Sequence, residues 1–188
     1  MPEIIKQFNW VDIFVAIVLF RVIYISIKTG LPIELFKILG TLSAIYLALH
    51  YYSSASSAMI SALPLIKERV NVDFLNFVAF LILAIFGYIV FMALRMLFYR
   101  FMKMEAAPNL NKWGGLVLGI FRSFLLAGLL TYTLAICGIG YLKDSIASSY
   151  TASRVANIAP NTYSWLWSNI GSKFMPGDKF NEHILRFK

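Results

Sequence analysis

The sequence predicts an all-α membrane protein: four transmembrane helices followed by a C-terminal interfacial amphipathic segment. Of its 188 residues, 60% are hydrophobic and only 14% are charged, whereas an average soluble domain is about 45–50% apolar and about 25% charged. The mean hydropathy is +0.73. Because such a chain has too few polar groups to cover a surface that faces water, we expect part of its surface to face hydrocarbon.

Four apolar stretches are long enough to cross a hydrocarbon core, which takes about 20 residues at a rise of about 1.5 Å each. They cover residues 10–28, 33–52, 74–98 and 114–142. We assign residues 1–145 to a four-helix transmembrane domain and residues 146–188 to an amphipathic or partly disordered tail. The first stretch opens with Asp12 and contains Arg21, so we expect a retained span and not a cleaved signal peptide.

The connections between the spans differ in character. Gly30 and Pro32 predict a tight hairpin between the first two spans, because glycine suits the end of one helix and proline the first turn of the next. Residues 53–73 begin with a run of Ser and Ala, which favours a surface segment or a short interfacial helix. Residues 100–112 form a basic loop that contains a Pro-Asn turn signal.

The charge distribution bears on the orientation of the chain in the membrane. Near the span ends, one side of the membrane would carry Lys6, Lys67, Arg69, Lys143 and Arg154, and the other would carry Lys28, Lys37, Arg95, Arg100, Lys103 and Lys112. The densest cluster, in residues 95–112, predicts a cytoplasmic loop there and two periplasmic termini under the positive-inside rule. The net charge of +8 is typical of loops that face anionic lipid. Without a nucleic-acid-binding motif, the lipid bilayer is the expected partner and nucleic acid is not.

Charged residues within the apolar stretches predict a buried polar cluster. Arg21 lies near the middle of the first span, where a charged side chain is usually paired or faces a protein-lined cavity. Lys28 falls on nearly the same helix face, while Glu34 opens the second span and Arg122 lies inside the fourth. We expect these four residues to converge below the hairpin. They form either an ion-pair clasp between spans or, since positive charges outnumber Glu34, a site for a substrate, an ion or a lipid headgroup.

Small residues recur every four positions along the fourth span, and they are Gly115, Gly119, Ser123, Ala127, Thr131 and Ala135. Small residues at this spacing let two helix backbones approach closely. The second span has a shorter matching series, Gly40, Ala44 and Ala48. This pattern predicts close helix packing, within the chain or between copies of it.

The remaining polar and aromatic residues do not form a recognisable metal-binding or catalytic pattern. Cys137 is the only cysteine, and neither His50 nor His183 has metal-spaced neighbours. No catalytic motif is present, so we expect no catalytic residue, metal or cofactor, and no enzyme activity. In the tail, Tyr163 and Trp165 stand among polar and basic residues, which favours a segment lying in the membrane interface over a disordered tail.

Several short motifs in order resemble the colicin V production (CvpA) family. They are Asn9-Trp10-Val11-Asp12-Ile13, Arg21, Lys28-Thr29-Gly30, Glu34-Leu35-Phe36 with Gly40, the block from Asn111 to Arg122, and Lys143-Asp144-Ser145. The order and spacing fit over about residues 9–145. The chain departs from the pattern at Val22-Ile23-Tyr24 and at Ser123, where the family often has glycine.

The resemblance implies a non-enzymatic, multi-pass accessory protein of the bacterial inner membrane that supports toxin export or cell-envelope homeostasis. Other envelope proteins or further copies of the chain are the partners that such a role would require. It implies no catalytic residues. Related membrane modules are fused ahead of periplasmic proteases, which would place the end of the fourth span outside the cytoplasm. The alternative is a small transporter or pore subunit that uses the buried Arg/Glu cluster.

Overall fold

In a computed structural model, residues 9–62, 70–101, 107–175 and 177–184 are described. Four of the basic residues used in the orientation argument, Lys6, Lys67, Arg69 and Lys103, lie outside these described residues. The described part of the chain is helical and contains no strand.

Four long helices dominate the structure: α1 (Trp10–Thr29), α2 (Leu31–Ala62), α3 (Val72–Phe101) and α4 (Pro108–Ala135). Each is long and apolar enough to cross a membrane. The predicted all-α fold with four membrane-crossing helices is therefore confirmed. Three shorter helices follow, α5 (Gly140–Ser148), α6 (Ala152–Ala156) and α7 (Ile158–Leu166), then a π-helical turn (Trp167–Gly171) and a last helical turn (Ser172–Phe174).

Two helices have bounds that differ from the prediction. α2 does not end at residue 52 but continues through the Ser/Ala run to Ala62, with Ser57 donating a hydrogen bond to the Ser53 carbonyl oxygen at 2.9 Å. α4 begins at Pro108 and ends at Ala135 instead of reaching residue 142. The break contains Gly138 at φ +81°, a left-handed conformation that glycine adopts without a steric penalty.

The four long helices pack in a row in the order α1, α4, α2, α3. α1 lies along α4 and has little contact with α2. Exposed apolar residues such as Phe20 and Phe86 cover the outer faces of the row. In a bilayer these faces lie against lipid, because nothing else in the described chain covers them.

The small residues of α4 form the contact with α1. All six are buried, and an added Cβ on Gly119 would collide with the Ser26 side chain of α1. Two members of the matching series in α2 pack against α3. Gly40 faces Tyr88 and Phe91 of α3, and Gly87 of α3 approaches the Ala44 backbone so closely that an added Cβ would lie 2.9 Å from the Ala44 nitrogen. Glycines therefore bring α4 close to α1, and other glycines bring α2 close to α3.

The beginning of α1 is attached to the short helices after α4. Asp12 is 2% exposed and accepts hydrogen bonds from the Ser149 hydroxyl at 2.6 Å and from the Thr151 N–H at 2.8 Å. The Asn9 side chain caps α1 and also donates to the Ser145 carbonyl oxygen at 2.6 Å. These bonds anchor α5 and α6 on the bundle.

The C-terminal segment, which comprises α7 and the described residues after it, docks on α2 through a buried polar contact. Tyr163 is fully buried and its hydroxyl lies 2.8 Å from His50 Nδ1. It also accepts a hydrogen bond from the Asn181 N–H at 3.2 Å, and the Asn181 side chain donates to the Leu49 carbonyl oxygen at 2.7 Å. Burial raises the pKa of Tyr163, which favours the protonated hydroxyl. The described tail is thus packed against the bundle, although Trp165 and Phe174 stay exposed.

Replacing Gly119 with alanine should lower the thermal stability of the protein in detergent. The new methyl group must displace Ser26 or push α1 from α4, and overpacking of this kind costs about 1–3 kcal/mol. Thermal unfolding followed by circular dichroism at 222 nm measures the loss. Gly140→Ala is the matched control, because an added Cβ there meets nothing within 4 Å. Equal melting temperatures for the two variants would contradict the close α1–α4 contact, and Ser26→Gly should partly rescue Gly119→Ala.

Replacing Tyr163 with phenylalanine should loosen the C-terminal segment. The ring is kept, but His50 and the Asn181 N–H lose their shared partner, at a cost of about 1–3 kcal/mol for a buried unsatisfied group. Limited trypsin digestion should then cleave faster after the exposed Lys173 and Lys179. Tyr141→Phe is the control, since Tyr141 is 66% exposed. Unchanged cleavage rates would show that the hydroxyl does not hold the segment in place.

Candidate functional site: a buried charged cluster

The hairpin between α1 and α2 places the first turn of α2 against α4. Gly30 is the single residue between the two helices, at φ +78°. The Asn111 side chain of α4 occupies the space where a Cβ on Gly30 would lie, and its Oδ1 accepts a hydrogen bond from the Leu31 N–H at 2.8 Å. The predicted tight turn is thus closed by a residue from a distant part of the chain.

Glu34 lies in that first turn and is 0% exposed. Its Oε1 accepts hydrogen bonds from the Thr29 hydroxyl at 2.5 Å and from the Lys37 ammonium group at 2.7 Å. Its Oε2 accepts one from Arg122 Nε at 2.7 Å. Donors from α1, α2 and α4 therefore hold one carboxylate, and charge-assisted bonds of this length are among the strongest polar contacts in proteins.

The cluster contains two cations and one carboxylate. Arg122 is 5% exposed, and the Lys37 side chain is 15% exposed. The cluster therefore carries an excess of one positive charge when all three groups are ionised. Lys37 was not among the predicted residues, although its position three residues after Glu34 is the spacing at which helix side chains meet.

Arg21 and Lys28 do not join this cluster, which corrects the predicted group of four. Both side chains are exposed, and Lys28 Nζ lies 4.5 Å from the centroid of the Tyr24 ring. Within the described ranges, Arg21 has no ion-pair partner. On α1, Ser26 packs on Gly119 of α4, and the exposed side chains of residues 21 and 28 lie outside that contact. The structure thus brings together only Glu34 and Arg122 of the four.

A second polar feature lies at the other end of the bundle and was not predicted. It is a cleft of about 570 Å³ between the last turns of α2, the start of α3 and the break after α4. Asp73 and Lys143 line it, together with Asn76, and Ser56 forms part of the α2 wall. Asp73 and Lys143 have no ion-pair partner among the described residues. In the sequence, the only indication of this cleft was that Asp73 and Lys143 both lie at the same end of the predicted spans.

Neither feature contains a group of side chains suited to hold a metal ion among the described residues. Across the described ranges, no group of three or more His, Cys, Asp or Glu side chains is arranged to hold a metal ion. The Glu34 cluster can store charge within the membrane-crossing region and can fix three helices to one another. The cleft offers both charge signs and hydrogen-bonding groups to an external molecule.

Comparison with known proteins agrees with the sequence motifs. The family model described as Colicin V production protein matches residues 11–160, which include α1 to α6 and the start of α7. No curated protein and no solved structure matches the chain. The match covers most of the 188 residues and confirms the resemblance that the motifs indicated. With its four membrane-crossing helices, the chain belongs to the colicin V production protein family.

Proposed function

We propose that this protein is a non-enzymatic accessory protein of the bacterial inner membrane that supports toxin export or cell-envelope homeostasis. The family match over residues 11–160 is the observation that carries this proposal. The arrangement of the buried charges supports it, because they hold three helices together and engage both carboxylate oxygens of Glu34.

The Glu34 cluster favours a structural clasp over a transport path. Both carboxylate oxygens are engaged at 2.5–2.7 Å, and the side chain is fully enclosed. A transported ion would have to displace these donors, and breaking a buried ion pair is strongly unfavourable. The transporter or pore alternative rests on the one excess positive charge and on the partial exposure of Lys37.

The cleft at the opposite end is the surface that we assign to the accessory role. With both termini periplasmic, as the basic residues of α3 favour, the cleft faces the periplasm. Asp73 and Lys143 then present one acidic and one basic group to a peptide or to another envelope protein. A peptide backbone carries both donors and acceptors, which the Asn76 amide in the lining can match.

Replacing Arg122 with alanine should destabilise the protein strongly. Glu34 would remain buried without its Arg122 partner, and removal of one member of a buried pair typically costs about 3–5 kcal/mol. Thermal unfolding in detergent should therefore show a larger loss for Arg122→Ala than for Arg21→Ala, the same change at an exposed arginine. The double variant Glu34→Gln, Arg122→Gln should lose less than Arg122→Ala, because no uncompensated charge is left behind.

The transporter alternative predicts that Arg122 is needed for ion flux, whereas the proposed function predicts no flux. Proteoliposomes that carry the wild-type protein should show no more proton or chloride flux than protein-free liposomes. A flux above that background that Arg122→Gln abolishes, while Arg21→Gln retains it, would support the transporter and refute the accessory role. An Arg122→Ala variant as stable as Arg21→Ala would refute the clasp.

Export itself should depend on the cleft. In bacteria that secrete colicin V, deletion of this gene should lower the toxin activity in the medium, and the wild-type gene should restore it. Asp73→Asn should restore it less well, because the cleft loses its carboxylate. Asp144→Asn is the matched control, since Asp144 is exposed and lies outside the cleft lining. Unchanged secretion and unchanged envelope sensitivity to detergent after deletion would overturn the proposed function.

A further inference from the structure

Two adjacent cavities lie on the outer side of the α2–α3 pair. The first has a volume of about 230 Å³ and is lined by Phe36, Lys37, Tyr88, Phe91, Met92 and Arg95. The second has a volume of about 410 Å³, and its walls include Leu39, Leu42, Phe91, Ile170 and Phe174. Because Phe91 lines both cavities, they are neighbours, and together they are called the groove.

The first cavity is positively charged. Lys37 and Arg95 are the only charged residues among its described lining residues. Arg95 is half-buried and, in the part of the chain that the structure describes, has no ion-pair partner. Lys37 pairs with Glu34, but Glu34 already pairs with Arg122. The cavity therefore keeps an uncompensated positive charge that suits a phosphate group.

Both cations lie at the same depth in the bundle. Lys37 is six residues after the start of α2 and Arg95 is six residues before the end of α3. At about 1.5 Å per residue, each lies about 9 Å from the hairpin end of its helix. Long basic side chains at this depth extend towards the headgroup region of the near leaflet.

The second cavity lies deeper along α2 and is almost wholly apolar. Leu39 and Leu42 form its α2 side, and Ile170 and Phe174 of the C-terminal segment form the facing side. Phe174 is 80% exposed, so this side of the cavity is open to the surroundings of the bundle. A basic cavity at headgroup depth beside a deeper apolar one matches the two chemical halves of a phospholipid.

We propose that this groove binds one anionic phospholipid, with its phosphate between Lys37 and Arg95 and one acyl chain along Phe91 under the C-terminal segment. The site is separate from the periplasmic cleft of the proposed function. An anionic lipid is favoured over a zwitterionic lipid because the first cavity has two cations and no carboxylate in its described lining. It is favoured over a free anion because the apolar second cavity would otherwise stay empty.

Native mass spectrometry of the purified full-length protein tests this proposal. The protein is released from detergent after titration with phosphatidylglycerol, with phosphatidylcholine of the same acyl chains, or with inorganic phosphate. We expect one phosphatidylglycerol adduct at concentrations where phosphatidylcholine gives none. Arg95→Gln should weaken that binding about five-fold, the effect of one basic residue on anionic lipid binding, and Arg95→Lys should restore most of it. Arg21→Gln removes an exposed arginine outside the groove and should bind as the wild type does.

The acyl-chain half of the site has its own matched pair of variants. Leu39→Trp should fill the second cavity and weaken phosphatidylglycerol binding. Leu35→Trp, one turn earlier on the exposed face of α2 and outside both cavities, should not. Unchanged circular dichroism spectra establish that each variant is folded.

Three outcomes would overturn the proposal. Equal binding of the two lipids, unaffected by Arg95→Gln, would mean that the groove does not select charge. Displacement of phosphatidylglycerol by inorganic phosphate, with no effect of Leu39→Trp, would mean that it is a simple anion site. A dimer without lipid that Leu39→Trp dissociates would assign the groove to a second copy of the chain. If Asp73→Asn in the cleft had no effect on secretion, the proposed function would be weakened but the lipid-binding proposal would not.

Discussion

A carboxylate removed from water must find hydrogen-bond donors for both oxygens, and the arrangement of α1, α2 and α4 meets this need for Glu34. Thr29 belongs to α1, Lys37 to α2 and Arg122 to α4. None of these helices can shift relative to the others without removing a donor from the buried charge. The cluster therefore determines the relative positions of three membrane-crossing helices at the hairpin end.

Close backbone contact makes this arrangement possible. Gly30 allows α2 to start one residue after α1 ends, and Gly119 allows α4 to lie directly on Ser26. Arg122 follows Gly119 by less than one turn, so the same contact that brings α4 to α1 also brings its arginine to the start of α2. In a lipid environment, where apolar side chains gain little from leaving the solvent, such van der Waals contact and buried polar bonds provide most of the specificity.

The sequence could predict the four spans and the closeness of Glu34 and Arg122, because length, hydropathy and the tight hairpin determine them. It could not place Arg21. Helical spacing shows which residues share a face, but not which neighbouring helix covers that face, and α1 packs on α4 instead of α2. The docking of the C-terminal segment on α2 could not be predicted from the sequence for a related reason. Tyr163 meets His50 across more than a hundred residues, and no local pattern indicates such a pair.

The contact between α2 and the C-terminal segment also bears on how the chain can be divided. The family match ends at residue 160, yet Tyr163 and Asn181 are hydrogen-bonded to groups in the middle of α2. A boundary drawn from family similarity therefore cuts through one packing unit. Transplanting residues 11–160 into another protein would leave the His50 ring and a helix carbonyl oxygen without the partners that cover them here. The family region and the stretch of this chain that packs as one unit therefore end at different residues.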